Sequence, residues 1–323
     1  MNYPEFDSTT TEISSSVGLK TLVSIVVPCY QSSTGLLELE GALTTLFREI
    51  QSEYNLEVVF VDDGSTDSTL AGLQKLKQSA PFECKIVVLS GNFGSYNALH
   101  AGILNASGDA IIQLHADLQD PPKHIPLMLS KWKQGAKLVI GQRVEREEDF
   151  TTRFFSGVYH RMVKKFALPH VPDGGYDLIL FDKEVGEHLK QIDVHNINLV
   201  YLISWLSQRY EAVPVVREAR KTGQSQWSFS KKVKLVIDTL IGFSDAPTRL
   251  FRLLAIFELL LFPVFAILVA QSNWETTVKL CLIIGASWIM AMLIGITLLS
   301  EILWRTLVSA RKRPPYIIEK VIQ

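Results

Sequence analysis

"LEVVFVDDGS", residues 56–65, joins a run of apolar, β-branched and aromatic residues to two acids, a glycine and a serine. A run that is continuous rather than alternating suits a strand buried on both faces, as in a parallel sheet. The same pattern recurs in "LVSIVVPCY" (22–30), "CKIVVLSGN" (84–92), "DAIIQLHAD" (109–117) and "AKLVIGQR" (136–143). Between these runs lie helical patterns such as "GLLELEGALTTLFREIQSEY" and "DSTLAGLQKLKQSA", the second opened by Asp67 or Ser65 as a cap. Strand and helix in alternation predict an α/β layer sandwich. Ligands of such sheets sit at the carboxyl ends of the strands. The clusters "PCY", "VDDGSTD", "SGNFG" and "HADLQD" each follow a strand, so four loops are expected to converge on one edge.

No internal repeat or low-complexity linker interrupts the first 220 positions, which predicts one domain over residues 21–225. Residues 1–20 are polar and Ser/Thr-rich; they read as a disordered leader rather than a secretory signal. The 323-residue chain carries 32 Lys and Arg against 33 Asp and Glu, a balance that makes nucleic acid an unexpected partner. Cys29, Cys84 and Cys281 lack metal-type spacing and read as reduced, structural thiols.

The composition changes near residue 250. Leu253–Ala270 and Val278–Leu299 are almost wholly apolar. As helices they reach about 27 and 33 Å, against a hydrocarbon core of about 30 Å. They predict a two-helix transmembrane hairpin over 249–303. Lys231, Lys232, Lys234, Arg249 and Arg252 outnumber Asp238 and Asp245 before the first span. Arg305, Arg311, Lys312, Arg313 and Lys320 outnumber Glu319 after the second. Both flanks, the domain over 21–225, both termini and the basic tail 304–323 are therefore expected in the cytoplasm, with "QSNWETT" outside. "FSKKVKLVIDTLIGF" (229–243) combines lysines with apolar positions at helical spacing, so the region 226–248 is expected to lie on the bilayer surface as an amphipathic helix. Glu258 and the small residues Gly285, Ala286 and Ser287 suit helix–helix contacts, within the chain or in a homo-oligomer.

Taken alone, "VDDGSTD" is compatible with an ordinary capped turn. Its two acids suit a base or ribose better than a phosphate. Asp117 is a hard oxygen donor of the type that holds Mg²⁺ or Mn²⁺ beside substrate phosphates, with Gln119 and Asp120 close behind. Capping of the turn stiffened by Pro121 and Pro122 is the alternative for Asp117 or Asp120. A structural role is the alternative for His115.

These stretches, in order, resemble the family 2 glycosyltransferases of the GT-A fold, in the polyprenyl-phosphate sugar transferase branch. That branch includes dolichyl-phosphate mannose synthase and bacterial undecaprenyl-phosphate glucosyltransferases. The likeness rests on "SIVVPCYQS", "VVFVDDGSTDSTL", "LSGNFGSYNALHAGILNASGDAIIQLHADLQDPP", "GQSQW", "FSDAPTRL" and "SEILWRTLVSARKRPPYII". It implies a mostly parallel sheet flanked by helices, followed by the interfacial helix and the two spans. It also implies inverting transfer of a sugar, with UDP-glucose as the expected donor, to undecaprenyl phosphate. Pro28, Tyr30, Asp62 and Asp63 would then bind the nucleotide, with Asn92, His115 and Ala116 lining the donor. Asp117 and Gln119 would take Mg²⁺ or Mn²⁺. Arg220, Lys221 and Lys231 are candidates for the acceptor phosphate. Asp117, Asp177 and Arg220 are the expected catalytic residues. Lys232 and Arg143 are further candidate cations, and Asp173 is a second candidate acid.

The chain departs from that pattern at four places. His115 stands where the family has Asp, Gly91 where Arg precedes "NFG", Ile179 where "GDFRLL" has Arg, and Gln226 where Lys is common. Three alternatives follow: a non-catalytic nucleotide-sugar-binding or scaffold protein, a GDP-mannose enzyme acting on dolichyl phosphate, and a processive polysaccharide synthase. The last needs a "QxxRW" signature that "QSQW" lacks.

Overall fold

Fully buried Val23, Ile25, Val26 and Val27 form the middle of β1 (Thr21–Cys29), and Val58, Val59, Phe60 and Val61 that of β2 (Tyr54–Asp62). Each such side chain contributes about 1.5–3 kcal/mol when buried rather than exposed. Alternate residues pack on opposite faces, which is why neither strand carries a polar stripe. The computed structural model describes residues 20–145, 157, 161–165, 176–192, 198–207, 209–216, 238–239, 246–271, 274–311 and 314–323.

In chain order the remaining elements are α1 (Leu36–Ile50), α2 (Thr69–Ser79), β3 (Glu83–Leu89), α3 (Ser95–Leu104), β4 (Ala110–Gln113), α4 (Ile125–Lys133) and β5 (Leu138–Glu145). They continue with β6 (Ile179–Asp182), α5 (Lys183–Lys190), α6 (Leu199–Ser207), β7 (Glu211–Val216), α7 (Ala246–Gln271), α8 (Trp274–Ala310) and β8 (Ile318–Ile322). The sheet runs β7-β5-β6-β4-β1-β2-β3-β8. β1 is parallel to β2 and β4, and β2 to β3, with Val27 opposite Phe60 and Val23 opposite Ala110. β6 is antiparallel to both β4 and β5, and β7 is parallel to β5. Leu39, Leu43 and Leu73 from α1 and α2 cover one face, with Met128 from α4. Leu99 from α3 and Leu199 and Ile203 from α6 cover the other. The expected α/β sheet, mostly parallel and flanked by helices, is therefore present, and each of the five sequence-predicted strands lies in it.

At the amino-terminal edge, opposite the four loops, Glu57 is buried and fully engaged. It accepts from the Ser24 hydroxyl, from the Ser107 amide at 2.8 Å and from the Lys85 ammonium at 3.0 Å. Burial pushes this carboxyl up, but the hydrogen bonds and the Lys85 charge outweigh it and hold the pKa below the usual range. The cluster ties β1, β2 and β3 together at the edge remote from the loops. Cys29 and Cys84 are buried and free, as expected of structural thiols; Cys281 is exposed.

The expected tail contains the eighth strand. β8 pairs antiparallel with β3, Val321 opposite Val87, and Tyr316 packs edge-on against His100 of α3. The two apolar runs are helical, within α7 and α8. Among the described residues, Trp274–Val308 is long and apolar enough to cross a membrane by length and composition, with hydropathy 2.3 and none of its most apolar window buried in the protein. Near the far end of α8, the Arg305 guanidinium pairs with Asp238 at 2.6 Å and Glu301 at 2.8 Å. The leader up to residue 19, the interfacial region 226–248 apart from Asp238, Thr239 and residues 246–248, and the side chains of Glu258 and Ala286 lie outside the described residues.

Candidate active site

Parallel β1, β2, β3 and β4 all end on one edge, and there the four polar loops meet. Each loop turns on one residue with left-handed backbone: Gln31 (φ 52°), Gly64 (67°), Gly94 (91°) and Leu118 (52°). Among the described residues only Gly135 shares that conformation. A leucine there costs about 1–2 kcal/mol. Such strain persists only where the surroundings over-determine it. Buried Leu118 closes a turn by donating its amide to His115 O at 3.2 Å, so the chain leaves β4 sharply.

The first two loops are laced together. Gln31 donates its amide to Ser65 Oγ at 3.1 Å and its side-chain nitrogen to Thr66 Oγ1 at 2.7 Å. Ser32 N donates to Thr69 Oγ1 at 2.8 Å, and Ser33 N to Asp67 Oδ2 at 3.3 Å. Asp67 also accepts from Thr69 N at 3.0 Å, so of the two expected caps it serves the start of α2. Pro28 and Tyr30 are half-buried beside this lacing.

Asp62 and Asp63 are 2% and 3% exposed, yet they face different tasks. Asp62 Oδ1 accepts from Ser65 N at 3.2 Å and so shapes its own loop. Asp63 reaches across to the third loop, where its two oxygens accept from Phe93 N at 2.7 Å and Gly94 N at 2.9 Å. Burial pushes the Asp63 carboxyl up to about 6; the two amide bonds oppose the shift and the neighbouring Asp62 charge adds to it. The folded chain therefore holds this proton more tightly than the unfolded chain. Ionising Asp63 weakens the fold as pH rises from about 4 to 6, by at most about 3 kcal/mol. The unfolding midpoint of wild type should fall relative to that of Asp63→Asn over this window; parallel midpoints at pH 4 and 7 would show that burial does not strain this acid.

At the end of β4, His115, Ala116, Asp117 and Gln119 are all half-buried. His115 Nε2 lies 3.3 Å from Gln113 Nε2, and Asp117 Oδ1 accepts from Gln119 N at 3.2 Å. Asn92 is exposed on the third loop. Asp177 stands two residues before β6, which runs antiparallel to β4 with Ile179 opposite Gln113, so it arrives at the same edge. There Arg143 of β5 forms an ion pair with Asp177 and lies 3.7 Å from Asp120. The structure thus brings Pro28, Tyr30, Asp62, Asp63, Asn92, His115, Ala116, Asp117, Gln119 and Asp177 to one edge. Arg220, Lys221, Lys231, Lys232 and Asp173 lie outside the described residues. The sequence marks Arg143 as a candidate cation but carries no signal for its two partners, which lie 23 and 34 positions away. A cavity of about 290 Å³ lined by Ser107, Ile111, Lys183 and Lys190 opens away from these loops, and none of the candidate residues lines it.

The Glycosyl transferase family 2 profile matches residues 24–189, just over half of the chain and all four loops. The chain belongs to glycosyl transferase family 2. It is a glycosyltransferase with the α/β sheet expected of that family. It is 29% identical over 311 residues to a prophage bactoprenol glucosyl transferase homolog of Escherichia coli (strain K12), covering 93% of this chain and 99% of the relative. The bactoprenol glucosyl transferase of Shigella phage SfII is likewise 29% identical over 315 residues, covering 92% and 97%. Among solved structures, a mannosyltransferase from Pyrobaculum calidifontis in complex with GDP-Man and Mn²⁺ is 17% identical, covering 89% and 88%, with a TM-score of 0.47.

Proposed function

We propose that the chain is an inverting hexosyltransferase that moves glucose from UDP-glucose to undecaprenyl phosphate for cell-envelope glycan. The observation that carries this reading is the extent of the likeness to bactoprenol glucosyl transferases. It runs through 93% of the chain, across the apolar helices as well as the sheet. Apolar helices would hold such a catalytic sheet beside a lipid acceptor.

The chemistry fits the donor set. An acceptor phosphate oxygen attacks the anomeric carbon as the bond to the diphosphate breaks, and UDP leaves with the electron pair. The acceptor is already an anion near neutral pH, with a second phosphate pKa of about 6, so a strong general base is not required. The protein must instead align two anions that repel each other and offset charge on the leaving diphosphate. Pro28, Tyr30 and Asp62 hold the base and ribose, on a loop that Asp63 braces, while Asn92, His115 and Ala116 line the donor. Asp117 and Gln119 would hold Mg²⁺ or Mn²⁺: a half-buried carboxylate and an amide at a strand end are hard oxygen donors, and phosphates and water complete the sphere. When bound, the ion supplies positive charge at the diphosphate. Arg220, Lys221 and Lys231 meet the acceptor phosphate, and Asp177 orients it.

In this reading both α7 and α8 cross the bilayer, with the catalytic domain and both termini cytoplasmic. Support comes from β8, which follows α8 yet pairs with β3 of the catalytic sheet. A chain that leaves the sheet at β7 and returns to it at β8 crosses a membrane an even number of times. If α8 crosses, α7 crosses too.

The test is product formation by purified full-length protein from a panel of nucleotide sugars and undecaprenyl phosphate, with and without Mn²⁺ or Mg²⁺. Metal-dependent formation of a glucosyl lipid from UDP-glucose is the expected result. Product from another donor alone would replace the sugar, and no product from any donor would sink the reading.

A further inference from the structure

We infer that Asp120 is a positioning residue for sugar transfer, anchoring the Arg143 guanidinium where it meets Asp177. The inference rests on the function proposed above and names the residue that organises one side of that site.

Three observations carry it. Arg143 Nη2 is shared by two carboxylates, Asp177 and Asp120, the second at 3.7 Å. The two acids differ sharply in exposure: the Asp120 side chain is 3% exposed and that of Asp177 is 37%. Asp120 is also held by its surroundings, between the left-handed turn at Leu118 and the buried, extended Pro121.

The asymmetry decides which acid governs the arginine. The pair with Asp177 is the more open of the two, because water can solvate the Asp177 carboxylate when it opens. A buried carboxylate deprived of its cation has no such recourse, so separating Arg143 from Asp120 is the more costly movement. The guanidinium therefore turns about Asp120, while Asp177 can be exchanged for another anionic oxygen, such as a phosphate oxygen. Arg143 has the donors for both at once, since its planar fork presents five N–H groups. With its side chain 3% exposed, Asp120 is placed to act through the arginine.

A double-mutant cycle in the full-length protein tests this. Asp120→Asn is expected to lower kcat about tenfold or more, with the donor KM changed by less than about threefold. Added to Arg143→Lys, it should cost less than about a further twofold, because both changes disturb the same pair. Multiplicative losses, or wild-type kcat in Asp120→Asn, would overturn the inference. If Asp120→Asn does not fold, the neutral pair Asp120→Asn with Arg143→Gln should restore the folding that either single change loses; failure of the pair to do so counts against the contact. Should wild-type protein form no product, the proposed function fails, and the anchor is then judged on the crystal structure of Asp120→Asn. Loss of the Arg143–Asp177 pair there supports it, and retention of that pair overturns it.

Discussion

Asp117→Asn should lower kcat for transfer by about a thousandfold while leaving the unfolding midpoint within about 2 °C of wild type. The two halves of that expectation have separate causes. Asparagine keeps an oxygen that can accept from Gln119 N, so the turn that follows β4 retains its hydrogen bond. What it loses is the negative charge and one hard oxygen at the place where the donor diphosphate is proposed to meet a divalent ion. His115 supplies no carboxylate, so Asp117 is the acid proposed to carry that position. A chelator should then reproduce the loss in wild-type protein, and added Mn²⁺ or Mg²⁺ should reverse it. Activity within tenfold of wild type in Asp117→Asn would move the metal, or the chemistry, away from this loop.

The central strands were legible because β1, β2 and β3 are buried on both faces, and a chain with no exposed stripe advertises itself as a continuous apolar run. β6 and β8 were not, for two different reasons. β6 is four residues long and sits inside a segment whose motif, "GGYDLILF", draws attention to its acid rather than to its strand. β8 is an edge strand with most of its residues exposed, so the charges Glu319 and Lys320 mask its pairing. The site divides along the same line. The placement of Asp62 and Asp117 at the loop edge was readable because each lies at the end of its own strand, and the rule that places ligands at strand ends needs only local sequence. Asp63 looks identical to Asp62 in sequence, yet its partners are the amides of Phe93 and Gly94, one loop away. The contacts of Arg143 with Asp120 and Asp177 arise only when antiparallel β6 is laid between β4 and β5, which no local pattern specifies.

Gly64→Ala should destabilise the fold by about 3–5 kcal/mol, through two additive causes and one knock-on effect. The first cause is backbone conformation: Gly64 has φ 67°, where an alanine costs about 1 kcal/mol. The second is steric. A Cβ at Gly64 would lie 2.4 Å from Gly91 C, 2.6 Å from Gly91 Cα and 2.8 Å from Asn92 N. These are backbone atoms that no side-chain rotation can remove, so the second and third loops must move apart. Their separation breaks the pair of amide bonds to Asp63 and leaves a buried carboxylate without them, at about 1–3 kcal/mol for each unmet group. For a chain of this size the midpoint should fall by about 5–8 °C. Because the same loops carry Asp62 and Asn92, UDP binding should weaken as well. Gly91→Ala is the matched control: its Cβ would meet nothing within 4 Å, so stability should change by less than about 0.5 kcal/mol. A small change in Gly64→Ala, or an equal one in Gly91→Ala, would mean that the close approach of these two loops does not hold the nucleotide edge in shape.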